Sequence, residues 1–377
     1  MHLTLHLTRN CNLRCDYCYA KPESSEIMSL ETGQKAMRLG VKRNFGSCGV
    51  VFFGGEPLLA KDRIYELVEF GRNIQKNKEG MFHFKITTNG LLLDEAFLEY
   101  ACREEMLVAM SYDGINKVQD MHRKTADERL TSDLLLPKLR MLLDARPYSS
   151  ILMVVNPDTA KYLCESVSFL LDEGARYIIV SLNYAGQWDD DSFSILEQQY
   201  KKLAKLYIKW TEMGKKFYLS PFEVKISLHI NESQSNCLRC DLGMRQLSVD
   251  PQGYLYPCVQ FTRAGGQSQW CIGDVENGIN PEAWTRIRKA AIKPKDNCSK
   301  CVLEKRCFHT CACLNWQTTG SIETVSPLLC RHEQMLMPIA DKVAETLYAK
   351  RNSEFINKHY NDAYPMLSLL EDQLSSA

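Results

Sequence analysis

Between residues 2 and 214, short apolar runs alternate six times with stretches of helical periodicity, and that rhythm constrains the fold more than any other feature of the chain. The first run is the cleanest. Leu3, Leu5 and Leu7 face one way and His2, Thr4, His6 and Thr8 the other, the period-two signature of a strand. Ser29 is placed to cap a helix running to about residue 45, and Val50-Val51-Phe52-Phe53 then makes a second strand, stopped by Gly54-Gly55. Further strands are expected at 82–87, 107–112, 151–155 and 177–182, with helices at 61–76, 94–105, 132–145, 159–173 and 193–214. Such alternation specifies an α/β fold with a parallel sheet. Right-handed crossovers curl that sheet into a six-unit, TIM-like partial barrel or wind it into a double layer.

Beyond residue 220 the alternation stops. Residues 237–330 hold short apolar runs, Gly, Pro and Asn breaks, and ten cysteines, Cys237 to Cys313 and then Cys330. This part reads as a second, metal-stapled unit without a large core of its own. Residues 331–350 look helical again, with Met335, Leu336, Ile339, Val343 and Leu347 near one face. The expected organisation is therefore a barrel over 1–220, a cysteine-rich domain over 221–335 and a helical tail over 336–377.

Sixteen cysteines in 377 residues, in a chain of this size, point to metal rather than disulfides. Cys48, Cys102 and Cys164 stand alone in periodic segments and read as buried small hydrophobes. Lys plus Arg equals Asp plus Glu at 46 each, which argues against a nucleic-acid partner. No apolar run reaches the ~18 residues of a membrane span. Met1-His2-Leu3-Thr4 carries no secretory signal, so a cytoplasmic location without a membrane partner is expected.

The chemistry begins at Cys11-Asn12-Leu13-Arg14-Cys15-Asp16-Tyr17-Cys18, on the loop that follows the first strand. Three thiolates on one short loop take three corners of a site and leave the fourth to a ligand, the mark of a catalytic centre. Soft thiolates favour iron–sulfur, zinc or copper(I). A structural zinc knuckle would want a fourth Cys or His nearby, and none follows Cys18 locally. Gly54-Gly55-Glu56-Pro57 ends the second strand, where glycines admit a close ligand and carbonyls and Glu56 can accept from a cationic amine. Thr87-Thr88-Asn89-Gly90, Ser111-Tyr112-Asp113-Gly114, Asn156 and Ser181-Leu182-Asn183 end strands three to six. All these polar loops fall on the rim where α/β barrels bind ligands. The second cysteine set reads Cys240-x12-Gly253-x4-Cys258, Cys298-x2-Cys301-x5-Cys307-x3-Cys311 and Cys330. It suits two four-ligand sites, zinc or [4Fe–4S].

The first cysteine spacing, followed by the aromatic Tyr19, resembles the signature of the radical S-adenosylmethionine (SAM) superfamily, and the second string resembles the SPASM extension of its peptide and protein maturases. The resemblance implies that Cys11, Cys15 and Cys18 hold a [4Fe–4S] cluster whose fourth iron is chelated by SAM. It places Tyr17 near the adenine and gives Gly54, Gly55, Glu56 and Pro57 to SAM's amino group. Ser111 and Asn156 would hold the ribose and carboxylate, with Arg123 and Leu182 as further cofactor contacts. It also implies two auxiliary clusters, making three in all. Cys298, Cys301, Cys307 and Cys330 would hold the outer one, and Cys258, Cys311, Cys240 and Cys237 the inner one. Cys271 competes with Cys237 for the last corner, and Cys313 has no obvious role.

The function implied is reductive cleavage of SAM to a 5′-deoxyadenosyl radical, fed by an external flavodoxin- or ferredoxin-type donor, and oxidation of a peptide or protein substrate. Thioether formation in a ribosomally made peptide is the preferred outcome. Formylglycine formation, as in anaerobic sulfatase maturases, is the alternative; Val259 stands where those relatives carry an aspartate base, which counts against it. Cys313-Leu314-Asn315-Trp316-Gln317 and the helical tail look similar to maturases of cysteine-rich ribosomal peptides. With the motif starting at Cys11 and a short tail after Cys330, the peptide is expected to be held by the barrel and SPASM surfaces, or brought by a separate leader-binding protein. A reading of another class is a non-catalytic iron–sulfur or zinc scaffold or electron carrier, which has no need of an open three-cysteine site.

Overall fold

The computed structural model describes residues 2–20, 24–44, 46–231, 242–264, 268–295, 298–361 and 363–364. Cys237 and Cys240 lie outside the described residues. Six strand–helix units come first. They are β1 (His2–Thr8), α1 (Leu30–Arg43), β2 (Ser47–Gly54), α2 (Lys61–Lys76), β3 (Met81–Thr88), α3 (Glu95–Arg103), β4 (Leu107–Ser111), α4 (Asn116–His122), α5 (Ser132–Ala145), β5 (Ser150–Val155), α6 (Leu163–Asp172), β6 (Tyr177–Leu182) and α7 (Asp190–Glu212). Then follow β7 (Tyr218–Leu219), α8 (Ser220–Ile230), β8 (Gln246–Val249), β9 (Leu255–Tyr256), β10 (Gly273–Asp274), β11 (Gly278–Ile279), α9 (Pro281–Ile292), α10 (Ala312–Thr319), α11 (Pro327–Ala349) and α12 (Ser353–Tyr360).

The strand order of the main sheet is β7-β6-β5-β4-β3-β2-β1-β8-β9. From β7 to β8 every neighbour is parallel. From β1 to β7 the order follows the chain without reversal. Right-handed crossovers then put successive helices on one face, and the sheet curls around a core instead of winding doubly. Among the described residues it stays open between β7 and β9. Leu3, Leu5 and Leu7 are fully buried, and Ser29 caps α1 by accepting from the Thr32 amide, as the sequence pattern demanded.

The sheet does not end with the barrel units. β8, from the cysteine-rich part, pairs with β1 from His2↔Gln246 to Leu5↔Val249. Leu247, Val249, Leu255 and Tyr256 join the same apolar cluster as Leu3 and Phe52. The C-terminal part thus borrows the barrel's core.

The expected burial of the three solitary cysteines holds only in part. Cys48 is buried and Cys164 half-buried, but Cys102 is exposed. It sits in the last turn of α3, past the buried Phe97, Leu98 and Ala101. No helix among the described residues is long and apolar enough to cross a membrane.

Candidate active site

The C-terminal ends of β1 to β6 form one rim, and β1 runs directly into the Cys11–Cys18 loop. The end of β2 is fastened to that loop. Gly55 N–H donates to the Thr8 carbonyl and Glu56 N–H to the Asn10 carbonyl, both at 2.9 Å. A Cβ on Gly54, whose φ is +140°, would lie 2.3 Å from the Thr8 carbonyl oxygen. One on Gly55 would lie 2.1 Å from that of Asn10. The backbone neighbour that requires these glycines is therefore the start of the cysteine loop.

Glu56 faces inward. Its carboxylate accepts from Leu58 N–H at 3.0 Å, Thr88 Oγ1 at 2.7 Å and Asn89 N–H at 2.8 Å. Burial raises its pKa to about 7 against these hydrogen bonds. Neither Glu56 nor Pro57, at the start of a short 3-10 turn, lines the cavity described below. Glu56 thus ties β2 to the loop after β3. That loop holds Asn89, whose Nδ2 donates to Asn12 Oδ1 at 2.7 Å and reaches Cys11 Sγ at 3.6 Å.

Asp113 organises the opposite side of the cysteine loop. It is buried and accepts from Tyr17 Oη at 2.6 Å, Arg123 Nε at 2.9 Å and Val154 N–H at 3.0 Å. The Arg123 guanidinium lies 5.5 Å from the centre of the Tyr17 ring. Burial pushes the Cys15 thiol up to about 11, opposed by the charge of Arg123, and also raises Cys11 and Cys18. Binding a metal here must therefore displace protons.

These groups open on a cavity of about 920 Å³. Cys11, Cys15, Cys18, Tyr17, Gly54, Gly55, Ser111, Arg123 and Leu182 all line it. Asn156 does not. It is buried behind the rim, its Oδ1 accepting from Asn183 Nδ2 at 2.8 Å while its own Nδ2 has no partner. Cys258, Cys311 and Cys313 line the same cavity. Tyr19, also on the cavity, lies within electrostatic reach of Cys18, Cys258 and Cys313.

Cys298, Cys301, Cys307 and Cys330 form a separate neighbourhood through Cys298–Cys301, Cys298–Cys330, Cys298–Cys307 and Cys301–Cys330 proximities. Cys271 lies apart from both groups, its thiol donating to the Gly273 carbonyl at 3.3 Å. Among the described residues no three His, Cys, Asp or Glu side chains converge as one shared ion would require. Ligands of a cubane each take a different iron and stand further apart. Soft thiols around an open corner, beside a cavity of this size, fit a [4Fe–4S] cluster with an organic ligand.

Part of the wall has no counterpart in the sequence patterns. Lys225, on α8, places Nζ 2.7 and 2.6 Å from the Glu333 oxygens, on α11, with both side chains buried. His332 bonds Tyr184 Oη through Nδ1 at 2.9 Å and Tyr200 Oη through Nε2 at 3.1 Å. Burial holds it near 3, so the ring is neutral.

A curled parallel sheet with a three-cysteine loop at the end of its first strand defines the class: residues 5–170 match the radical SAM superfamily, and the chain carries a radical SAM domain over that stretch. That family works with a [4Fe–4S] cluster and SAM. The chain is 23% identical over 321 residues to a cysteine-type anaerobic sulfatase-maturating enzyme of Clostridium perfringens, covering 80% of this chain and 85% of that protein. The structure of anSMEcpe with bound AdoMet and Cp18Cys peptide superposes with a TM-score of 0.77 at 20% identity, covering 92% of this chain and 99% of that one. Streptococcus suis SuiB bound to precursor peptide SuiA gives a TM-score of 0.60 at 16% identity, covering 87% and 75%. These superpositions show a shared fold.

Proposed function

We propose that the chain is a radical SAM/SPASM enzyme that oxidises a peptide or protein substrate, forming a thioether from a peptide cysteine. The observation that carries this reading is one cavity lined both by Cys11, Cys15 and Cys18 and by Cys258 and Cys311. A [4Fe–4S] cluster with SAM supplies a 5′-deoxyadenosyl radical that takes a hydrogen atom from the substrate. Cys11, Cys15 and Cys18 hold that cluster. Asp113 fixes Tyr17 and Arg123 beside it, Ser111 and Leu182 contact SAM, and Asn156 offers its unpartnered Nδ2 from behind the rim. Gly54 and Gly55 keep the cysteine loop seated on β2, and Glu56 and Pro57 act from beneath. Cys298, Cys301, Cys307 and Cys330 would hold an outer auxiliary cluster, and Cys258, Cys311 and Cys240, with Cys237 at the last corner, an inner one, and these would supply a sink for the substrate's second electron. Residues 1–220 form the barrel, 221–335 the SPASM region and 336–377 the tail. The protein works in the cytoplasm with a flavodoxin- or ferredoxin-type donor, and a ribosomal peptide is held by the barrel and SPASM surfaces or brought by a separate leader-binding protein.

Formylglycine formation is the second reading. The likeness of fold to anSMEcpe over most of the chain favours it, and Val259 after Cys258 counts against it. The products separate the two, since a thioether keeps the cysteine sulfur and formylglycine made from cysteine releases it. The test is anaerobic reconstitution with iron and sulfide analysis and a 5′-deoxyadenosine assay under dithionite. About twelve irons per chain and SAM cleavage are expected, with Cys15→Ala keeping roughly two-thirds of the iron and losing cleavage. About four irons with zinc making up the remainder would overturn the SPASM reading. Full iron without SAM cleavage would favour an electron carrier.

A further inference from the structure

Cys313 falls outside the cysteine spacings that the two auxiliary sites use, and the structure gives it a place. It is the second residue of α10 (Ala312–Thr319), whose N-cap is Cys311. Its thiol contacts two others. The Sγ atoms of Cys311 and Cys313 are 3.5 Å apart, and Cys258 lies close enough to interact with Cys313. All three line the cavity that Cys11, Cys15 and Cys18 also line, whereas Cys271 is engaged with the Gly273 carbonyl elsewhere.

We infer that Cys313 is a ligand of the inner auxiliary cluster, standing beside Cys258 and Cys311 and taking the corner that the SPASM resemblance gives to Cys237. This rests on the SPASM reading above. Three physical points support it. Cys258, Cys311 and Cys313 come together from two chain segments more than fifty residues apart, so the grouping is a product of the fold and not of local sequence. Two thiols in contact at one helix start can spread over two irons by side-chain rotation alone. That start also directs amide N–H groups and the positive end of the helix dipole toward the anionic sulfurs of a cluster.

The experiment compares anaerobically reconstituted full-length wild type, Cys313→Ala, Cys313→Ser, Cys237→Ala and the exposed-thiol control Cys102→Ala, by iron and sulfide content and by EPR of the reduced protein. Cys313→Ala is expected to lose about a third of the iron, roughly four of about twelve, or to show a three-iron signal. Cys237→Ala and Cys102→Ala are expected to match wild type. Cys313→Ser retains an oxygen donor and is expected to keep iron with shifted g-values, which decides the matter if the alanine variant misfolds. Wild-type iron and an unchanged EPR spectrum in both Cys313 variants, against a wild type holding about twelve irons, overturns this assignment and leaves the SPASM reading standing. A wild type holding only about four irons overturns both.

Discussion

Strands β1 to β6 run five to eight residues and bury leucines, valines and phenylalanines along their length, whereas those beyond residue 220 run two to four residues between turns. In the first region the thiols at the site hang from the end of a strand whose position apolar burial has already fixed. In the second, Cys298, Cys301 and Cys307 occupy tight turns with little apolar burial, and Cys258 and Cys311 sit where those turns meet the barrel. The difference teaches that one half folds around hydrocarbon, while on the proposed reading the other draws its order from metal held by its sulfurs.

Removing the iron is therefore the strongest test of the contrast. Anaerobic chelation should cost the amides of residues 298–330 orders of magnitude of hydrogen-exchange protection and leave β2 to β5 protected. Equal loss in both regions would erase the distinction. A smaller effect, confined to the barrel, is expected from Arg123→Leu. It strands the Asp113 carboxylate, buried with only Tyr17 and the Val154 amide, at a cost of about 3–5 kcal/mol in urea unfolding of the metal-free protein. A loss under 1 kcal/mol would mean that the pair is solvated. Smallest is the acid response of His6. Burial holds this β1 histidine at about 3. Its folded pKa lies below the unfolded 6.5, so the unfolded chain binds the proton more readily. Stability is full above about pH 6.5 and falls as the pH drops toward 3, by about 2 kcal/mol at pH 5. His6→Gln should remove that slope, and an unaltered pH profile would show that other groups set it.

The same contrast decides what the sequence made legible. Alternation located β1 to β6 and α2, α5 and α7 closely, because burial on one face is written in residue type. It missed α8, whose buried residues include Glu223 and Lys225, charges paired with His359 and Lys358 in one case and Glu333 in the other. It also missed β8, four residues whose only strong signal is a parallel partner more than two hundred residues away. At the site, the cysteine spacings, Tyr17 and Arg123 were readable one by one. The inward turn of Glu56 was not, because the amides of Leu58 and Asn89 that claim its carboxylate belong to backbone and carry no residue signature. Cys313 was silent for a related reason, since only folding brings Cys258 beside it.

Strand β1 lies between β2 and β8, so a single ladder element carries the cysteine loop at its end and fastens the C-terminal region along its side. Such a ladder has no hinge. Cys258, two residues past β9, is thereby set as if on a fixed gauge, and it cannot swing away from the cysteine loop without breaking the pairing of His2 to Leu5 with Gln246 to Val249. On the proposed reading, a peptide then meets a cleft whose sulfur-bearing parts keep their places while it binds. Selection there would fall to the peptide's shape, since the protein would have no wider form to offer it.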